Sequence, residues 1–403
     1  MEGIKAYELD KTKREALFEI IKLCRESGWS TFAYILCLQA LQIPQPLDTN
    51  YEGFSEDAYS YACLYEMSIV AYYGNNLHLG LKCTSDLLLS PMIPEFVRRN
   101  ALANLKFYLQ TLPDCSHHEI FYPEKKFGWN LLNPGLCLFQ NEIVVNVRIV
   151  NSGKLWFNLN DELGGDPVDG DHPIITENVR THLFSDEFKM FHCNHNLPMN
   201  DSSWVKGLED CKLFTFEDKV WFLATAKEFT PHSLCKTLIG HENNLVLLKG
   251  PDDNRNEKNW LPFEFQGKLL AIYSYSPFTI LQLNAVTGEC ANFLVEDYED
   301  LNLSSFRGSA GPVCSENSWY FIIHEVLGTL HRLYFHRIVK MNHTCEITHI
   351  SLPFQMLGQN DIEYVSGLVI RNDEVFIAYG DSDERAMIAT MSLADFDDLC
   401  LPL

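Results

Sequence analysis

The chain has 403 residues, 46% hydrophobic and 21% charged, which is the composition of a globular protein with room for two or three domains. Its net charge of −23 argues against general nucleic-acid binding, which needs a basic surface. No run approaches the ~18 apolar residues of a membrane helix, and the start MEGIKAYELDKTKREAL has no apolar signal core, so a cytoplasmic location is expected.

Residues 1–112 read as helices. From Lys13 to Arg25, Leu17, Ile20, Ile21 and Cys24 share one face at 3.6-residue spacing. Thr31 to Ile43 is a second helix, halted before Pro44. Ser55 to Tyr73, Leu77 to Leu89 and Pro94 to Leu112 complete five. The segment YEMSIVAYYGNNLHLGLKCTSDLLLSPMIPEFVRRNALANLKFYLQ resembles a tetratricopeptide-like array of helical hairpins, similar to those appended to some bacterial and giant-virus glycosyltransferases. That resemblance implies a protein partner or a bracing role. Residues 113–132 are expected to be a linker.

From 133 onward β-branched and aromatic runs dominate. One pattern recurs five times: a polar residue, an apolar run, a tight turn, and a second apolar run ending on a polar residue. The pairs of ends are Asn133 and Arg148, Asp210 and Lys227, Lys258 and Tyr275, Arg307 and His324, and Glu363 and Asp381. The turns fall at Asn141, Asp218, Gly267, Asn317 and Asp373, at intervals of 77, 49, 50 and 56. Repeated strand hairpins at this scale predict a five-bladed β-propeller over 133–403, giving an α+β multidomain chain. Because hairpin strands run antiparallel, both polar ends of each copy lie at the rim opposite the turn. The ten residues would then ring one mouth of a central channel, unless they are ordinary solvated strand ends.

The sharpest local signal is Gly207-Leu208-Glu209-Asp210-Cys211-Lys212, an acidic pair opening the second blade. Glycosyl transfer needs a proton delivered to a leaving oxygen, and a carboxylic acid supplies one. Blade by blade, residues 127–403 resemble glycoside hydrolase family 130, the five-bladed propellers of mannoside phosphorylases and hydrolases. The family's Gly-x-Glu-Asp-Pro-Arg motif implies that Asp210 is the proton donor. Its Pro-Arg is Cys211-Lys212 here, and a lysine cannot make an arginine's paired bonds. Asn133-Pro134 with Arg148, Lys258-Asn259 with Tyr275, and Arg307-Gly308 with Gly311-Pro312 and His324 also resemble the family's blades. The alternative for Asp210 is a hydrogen bond between blades.

If phosphate is the nucleophile, one acid suffices and cations must hold it: Arg148, Lys258, Arg307 and Arg337 are the candidates, with His324 beside them. If water attacks, a second carboxylate is needed, and Glu363 or Asp381 would supply it. The expected function is action on an oligosaccharide at a glycosidic bond, β-mannosidic by the resemblance. Catalytic residues would be Asp210 and Glu363; Asn133, Arg148, Glu209, Lys258, Asn259, Tyr275, Arg307, His324 and Asp381 would bind substrate. No cofactor and no metal is expected; inorganic phosphate or a nucleotide sugar would be the co-substrate. A glycosyltransferase and a glycan-binding propeller without catalysis remain as alternatives.

Weaker signals read as structure. Asp169-Gly170-Asp171 and His192-Cys193-Asn194-His195 are taken as polar loops. Trp129, Trp156, Trp204 and Trp260 are taken as packing between blades. The 13 cysteines, scattered and without a Cys-x-x-Cys pair, read as reduced thiols.

Overall fold

The computed structural model describes residues 2–151, 173–193, 195, 197–201, 203–230, 234–242, 244–252, 254–328, 332–359 and 362–403. Asp169-Gly170-Asp171, Asn194 and Trp156 lie outside the described residues. The chain divides into two compact units, one of residues 1–110 with 299–302, the other of 111–298 with 303–403.

The first unit is helical. Its helices are Glu2–Leu9, Glu15–Glu26, Ser30–Leu41, Cys63–Val70, Leu77–Leu89 and Glu95–Leu105, so one short helix precedes the five expected. Leu17, Ile21 and Cys24 are buried together, as their spacing requires. Asn76 caps the Leu77–Leu89 helix by accepting from the Leu79 amide at 3.2 Å. Glu66, buried within Cys63–Val70, takes two hydrogen bonds from Arg25, at 2.5 and 3.2 Å. No helix among the described residues is long and apolar enough to cross a membrane.

The second unit holds five sheets, antiparallel except where the short strand Val205–Lys206 runs parallel to Ile174–His182. Each begins with a two-stranded hairpin: Asn130–Phe139 with Glu142–Val150, Glu209–Phe216 with Lys219–Ala226, Leu261–Phe265 with Lys268–Tyr275, Arg307–Ser315 with Ser318–Leu327, and Glu363–Arg371 with Glu374–Asp381. All five hairpins close with two-residue loops at the predicted places, between Phe139 and Glu142, Phe216 and Lys219, Phe265 and Lys268, Ser315 and Ser318, and Arg371 and Glu374. In four, both loop residues have positive φ, for example Gln140 at 49° and Asn141 at 65°. This is the backbone whose twist matches the strands it joins.

The first strands of the five sheets touch in the order first, second, third, fourth, fifth, first, which closes a ring. Neighbouring sheets bury their facing side chains against each other. Leu136, Val145 and Val147 of the first sheet meet Val369, Phe376 and Ala378 of the fifth. Phe214 and Trp221 of the second meet Trp260, Leu269 and Ala271 around the third. With a neighbour on both sides the strands are buried on both faces, so Glu142–Val150 is buried at every residue after Glu142 instead of alternating.

Two features differ from expectation. Residues 113–132 are not only a connection: Ser116–Glu119 pairs with Arg385–Ser392 and forms the outer strand of the fifth sheet. The start of the second unit and its last sheet are thereby joined by backbone hydrogen bonds. The hairpins also carry bulges near the start of their first strands, between Leu132 and Gly135 and between Glu209 and Lys212. Asn133 and Asp210 sit in those bulges with φ of 46° and 50°. A bulge re-aims a side chain out of the ladder, and Asn and Asp tolerate this backbone better than most residues.

Candidate functional site

The register brings the predicted ends of the hairpins together. Arg307 pairs with His324 and Glu363 with Asp381. Arg148 pairs with Leu132, one residue before Asn133. At this end of the ring Asn133 Nδ2 donates to Asp210 Oδ1 at 2.7 Å, and Arg148 Nη1 donates to the same oxygen at 3.0 Å. Arg148 Nη2 also donates to Glu209. Asn133, Arg148, Glu209 and Asp210 are thus one cluster between the first and second sheets. Burial alone would raise the Asp210 pKa, but the Arg148 charge, the Asn133 hydrogen bond and the Lys212 charge hold it below the usual carboxylate range. Asp210 is therefore a charged carboxylate in the free protein.

Lys212 is only 6% exposed. Its ammonium crosses the ring to donate to the Ser309 carbonyl of the fourth sheet and to Tyr364 Oη of the fifth, the latter at 3.1 Å. Tyr364 Oη donates in turn to Asn259 Oδ1 at 3.3 Å. Burial pushes the Lys212 pKa down to about 8, with Asp210 pulling it back up. Lys212 also lines a cavity of about 250 Å³ between the five inner strands, walled by Leu136, Leu213, Phe263, Val313 and Leu368 among others.

His324 is 3% exposed and its Nδ1 lies 2.9 Å from Ser309 Oγ. Its ring stacks on Tyr334 at 5.6 Å and meets the edge of Tyr364 at 5.2 Å. Burial, then the positive charges of His336, Arg307, Lys212 and Lys258, hold its pKa well below the ordinary imidazole value, so the ring is neutral. Lys258 and Arg307 are exposed and have no hydrogen bond or ion pair among the described residues.

The other sequence-derived candidates are placed elsewhere. Glu363 is fully buried, and its carboxylate accepts from the amides of Met356, Leu357 and Gly358 at 2.6, 2.9 and 2.9 Å. Residues alternate along a strand, so Tyr364 faces the channel and Glu363 does not. Asp381 is fully buried and accepts from Arg385 Nε at 2.9 Å. Tyr275 is buried beside Phe278, Phe306 and Phe321, and its hydroxyl has no hydrogen-bond partner among the described residues. Arg337 is fully buried and donates to Glu325 at 2.7 Å, which makes it a core pair and not a phosphate ligand. Trp260 is buried with its Nε1 on Glu257 at 3.3 Å.

Sequence reasoning missed Tyr364, Ser309 and Asp383. Ser309 and Tyr364 lie one or two residues inside a strand start and carry no motif. Asp383 stands two residues beyond Asp381, in a Gly-Asp-Ser-Asp run whose turn-forming residues were the available signal.

No protein-family model matches the chain, and no curated protein does. Its structural neighbours are mannoside phosphorylases and related glycoside hydrolases. One is a β-1,2-mannobiose phosphorylase from Listeria innocua in complex with β-1,2-mannobiose, 12% identical over 69% of this chain and 95% of that one, with a TM-score of 0.45. Another is a glycosyl hydrolase from Bacteroides ovatus, 11% identical over 68% and 85%, TM-score 0.46. A third is a mannose phosphorylase from Leishmania mexicana in complex with phosphate ion, 13% identical over 71% and 91%, TM-score 0.38.

Proposed function

We propose that residues 133–403 form a five-bladed propeller, preceded by a tetratricopeptide-like helical domain over 1–112, and that the propeller cleaves a glycosidic bond as a phosphorylase or hydrolase. The observation that carries this reading is the pair of unpaired cations, Lys258 and Arg307, facing a neutral His324. Two free cations on a chain of net charge −23 suit an anionic reactant, and inorganic phosphate is the simplest. Across from them, the Asn133–Arg148–Asp210 cluster offers an amide, a guanidinium and a carboxylate to the hydroxyls and reacting centre of a sugar ring. Phosphate held by the cations would attack the anomeric carbon and release a sugar 1-phosphate.

A second reading is a glycan-binding propeller without turnover. It is favoured by Arg148, which occupies both Glu209 and Asp210 and leaves neither as a free acid. The test is incubation of the full chain with β-1,2-mannobiose and other mannosides, with and without phosphate, and with nucleotide sugars in a separate arm. Phosphate-dependent sugar 1-phosphate is the expected product, and Asp210→Asn, which removes the charge that holds Arg148, should lower its rate by about tenfold or more. Affinity for the sugar with no product in any arm would select the binding reading.

A further inference from the structure

The four carboxylates singled out from the sequence at this end of the ring are all engaged. Asp210 is bonded to Asn133 and Arg148, Glu209 to Arg148, Glu363 to three amides and Asp381 to Arg385. Asp383 differs from them. Its carboxylate makes no hydrogen bond or ion pair among the described residues, yet the side chain is half-buried and lies within electrostatic reach of Arg148, Asp210, Glu209 and Arg332.

The backbone puts it there. Ser382, Asp383 and Glu384 join Glu374–Asp381 to Arg385–Ser392, with Asp381 and Arg385 paired across the loop. Ser382 and Asp383 both have positive φ, 56° and 52°, and the Glu384 amide donates back to the Asp381 carbonyl at 3.0 Å. Serine and aspartate adopt this backbone at a tight hairpin loop, as the pairs in four of the five inner hairpin loops do. The first sheet ties the loop down: Asn130 Nδ2 donates to the Asp383 carbonyl at 3.3 Å. The chain just before the loop lies against the site as well, since a Cβ on Gly380 would stand 2.1 Å from Asn133 Oδ1.

We infer that Asp383 is the proton-donating carboxyl of this site, working beside an ionised Asp210. The inference rests on the glycoside-cleaving reading above. Its proton passes to the glycosidic oxygen as the bond from the anomeric carbon to that oxygen breaks. The bonding electron pair stays on the leaving oxygen, which departs as an alcohol. An oxygen of phosphate forms the new bond to the anomeric carbon, and solvent returns a proton to Asp383. Electrostatics agree with this division of roles. Burial raises Asp383 to about 6; Arg148 opposes that rise, while Asp210 and Glu209 add to it. Two carboxyls whose surroundings drive their pKa values apart are the usual arrangement of an acid beside a carboxylate.

The test compares Asp383→Asn with Asp210→Asn on a natural mannoside and on a dinitrophenyl mannoside, whose leaving group needs no proton. Asparagine also tolerates positive φ, and a Tm within a few degrees of wild type checks the fold. Asp383→Asn should lose ~10²–10⁴-fold on the natural substrate, lose little on the activated one, and lose the fall in kcat/KM as pH rises through about 6. Asp210→Asn should lose on both. An active wild type with Asp383→Asn unchanged, or equally impaired on both substrates, overturns the role of Asp383. A wild type inactive on every mannoside overturns the enzymatic reading first, and the role of Asp383 with it.

Discussion

Lys212 and Tyr364 meet across the channel: the ammonium of the second sheet donates to the phenol oxygen of the fifth at 3.1 Å. The same ammonium reaches the Ser309 carbonyl of the fourth sheet, so a single buried cation ties three of the five inner strands. The Lys212 pKa is down at about 8 from 10.5, so the unfolded chain binds more protons between those values and this group's contribution to stability rises with pH there. Below pH 8 the charge costs roughly 3 kcal/mol. Lys212→Met should therefore be most favourable relative to wild type at pH 7, and its advantage should shrink between pH 8 and 10.5. Thermal unfolding of both proteins across that range measures it. A difference that stays constant with pH would mean that Lys212 is not depressed.

Glu363 should behave as a structural residue. Three amides converge on its carboxylate, and glutamine offers one acceptor oxygen and an amino group that opposes the donors. Glu363→Gln is expected to destabilise the fold by about 3 kcal/mol. Turnover per folded molecule should stay at the wild-type level. Denaturant unfolding together with active-site titration separates the two effects.

Lys258 and Arg307 are expected to bind phosphate without supporting the fold. Each change to alanine should weaken phosphate binding roughly tenfold by calorimetry. Because both side chains are exposed and unpaired, stability should move by less than about 0.5 kcal/mol. Unaltered affinity in both variants would remove the anion pocket from the mechanism.

Gly135 is a packing position. A Cβ there would lie 2.0 Å from the Cys211 carbonyl oxygen, on the neighbouring inner strand. Neither atom sits at the end of a flexible side chain, so the two strands must separate. Gly135→Ala is expected to cost about 3 kcal/mol. It should also disturb the Asn133–Asp210 hydrogen bond two residues away, which a loss of sugar affinity would report.

The hairpins were determined by local sequence. Apolar runs broken by residues that accept positive φ, such as Asn141, Asp218 and Asp373, leave a chain few choices but a two-residue turn, and all five turns formed where expected. Strand polarity then brought Asn133, Arg148 and Asp210 to one end. Tertiary structure decided which polar ends remain available for chemistry. Asp381 and Glu363 look like Asp210 in the sequence, but Arg385 and the 356–358 amides occupy them, and those partners lie on other strands and loops. Asp383 carries no motif; its place beside the first sheet is set by the Asn130 hydrogen bond to its carbonyl and by the close approach of Gly380, in the strand before the loop, to Asn133. Ionisation was settled the same way. Whether a carboxyl holds its proton depends on burial and on charges brought from distant strands, here Arg148 beside Asp210, and the order of residues along one strand does not contain that information.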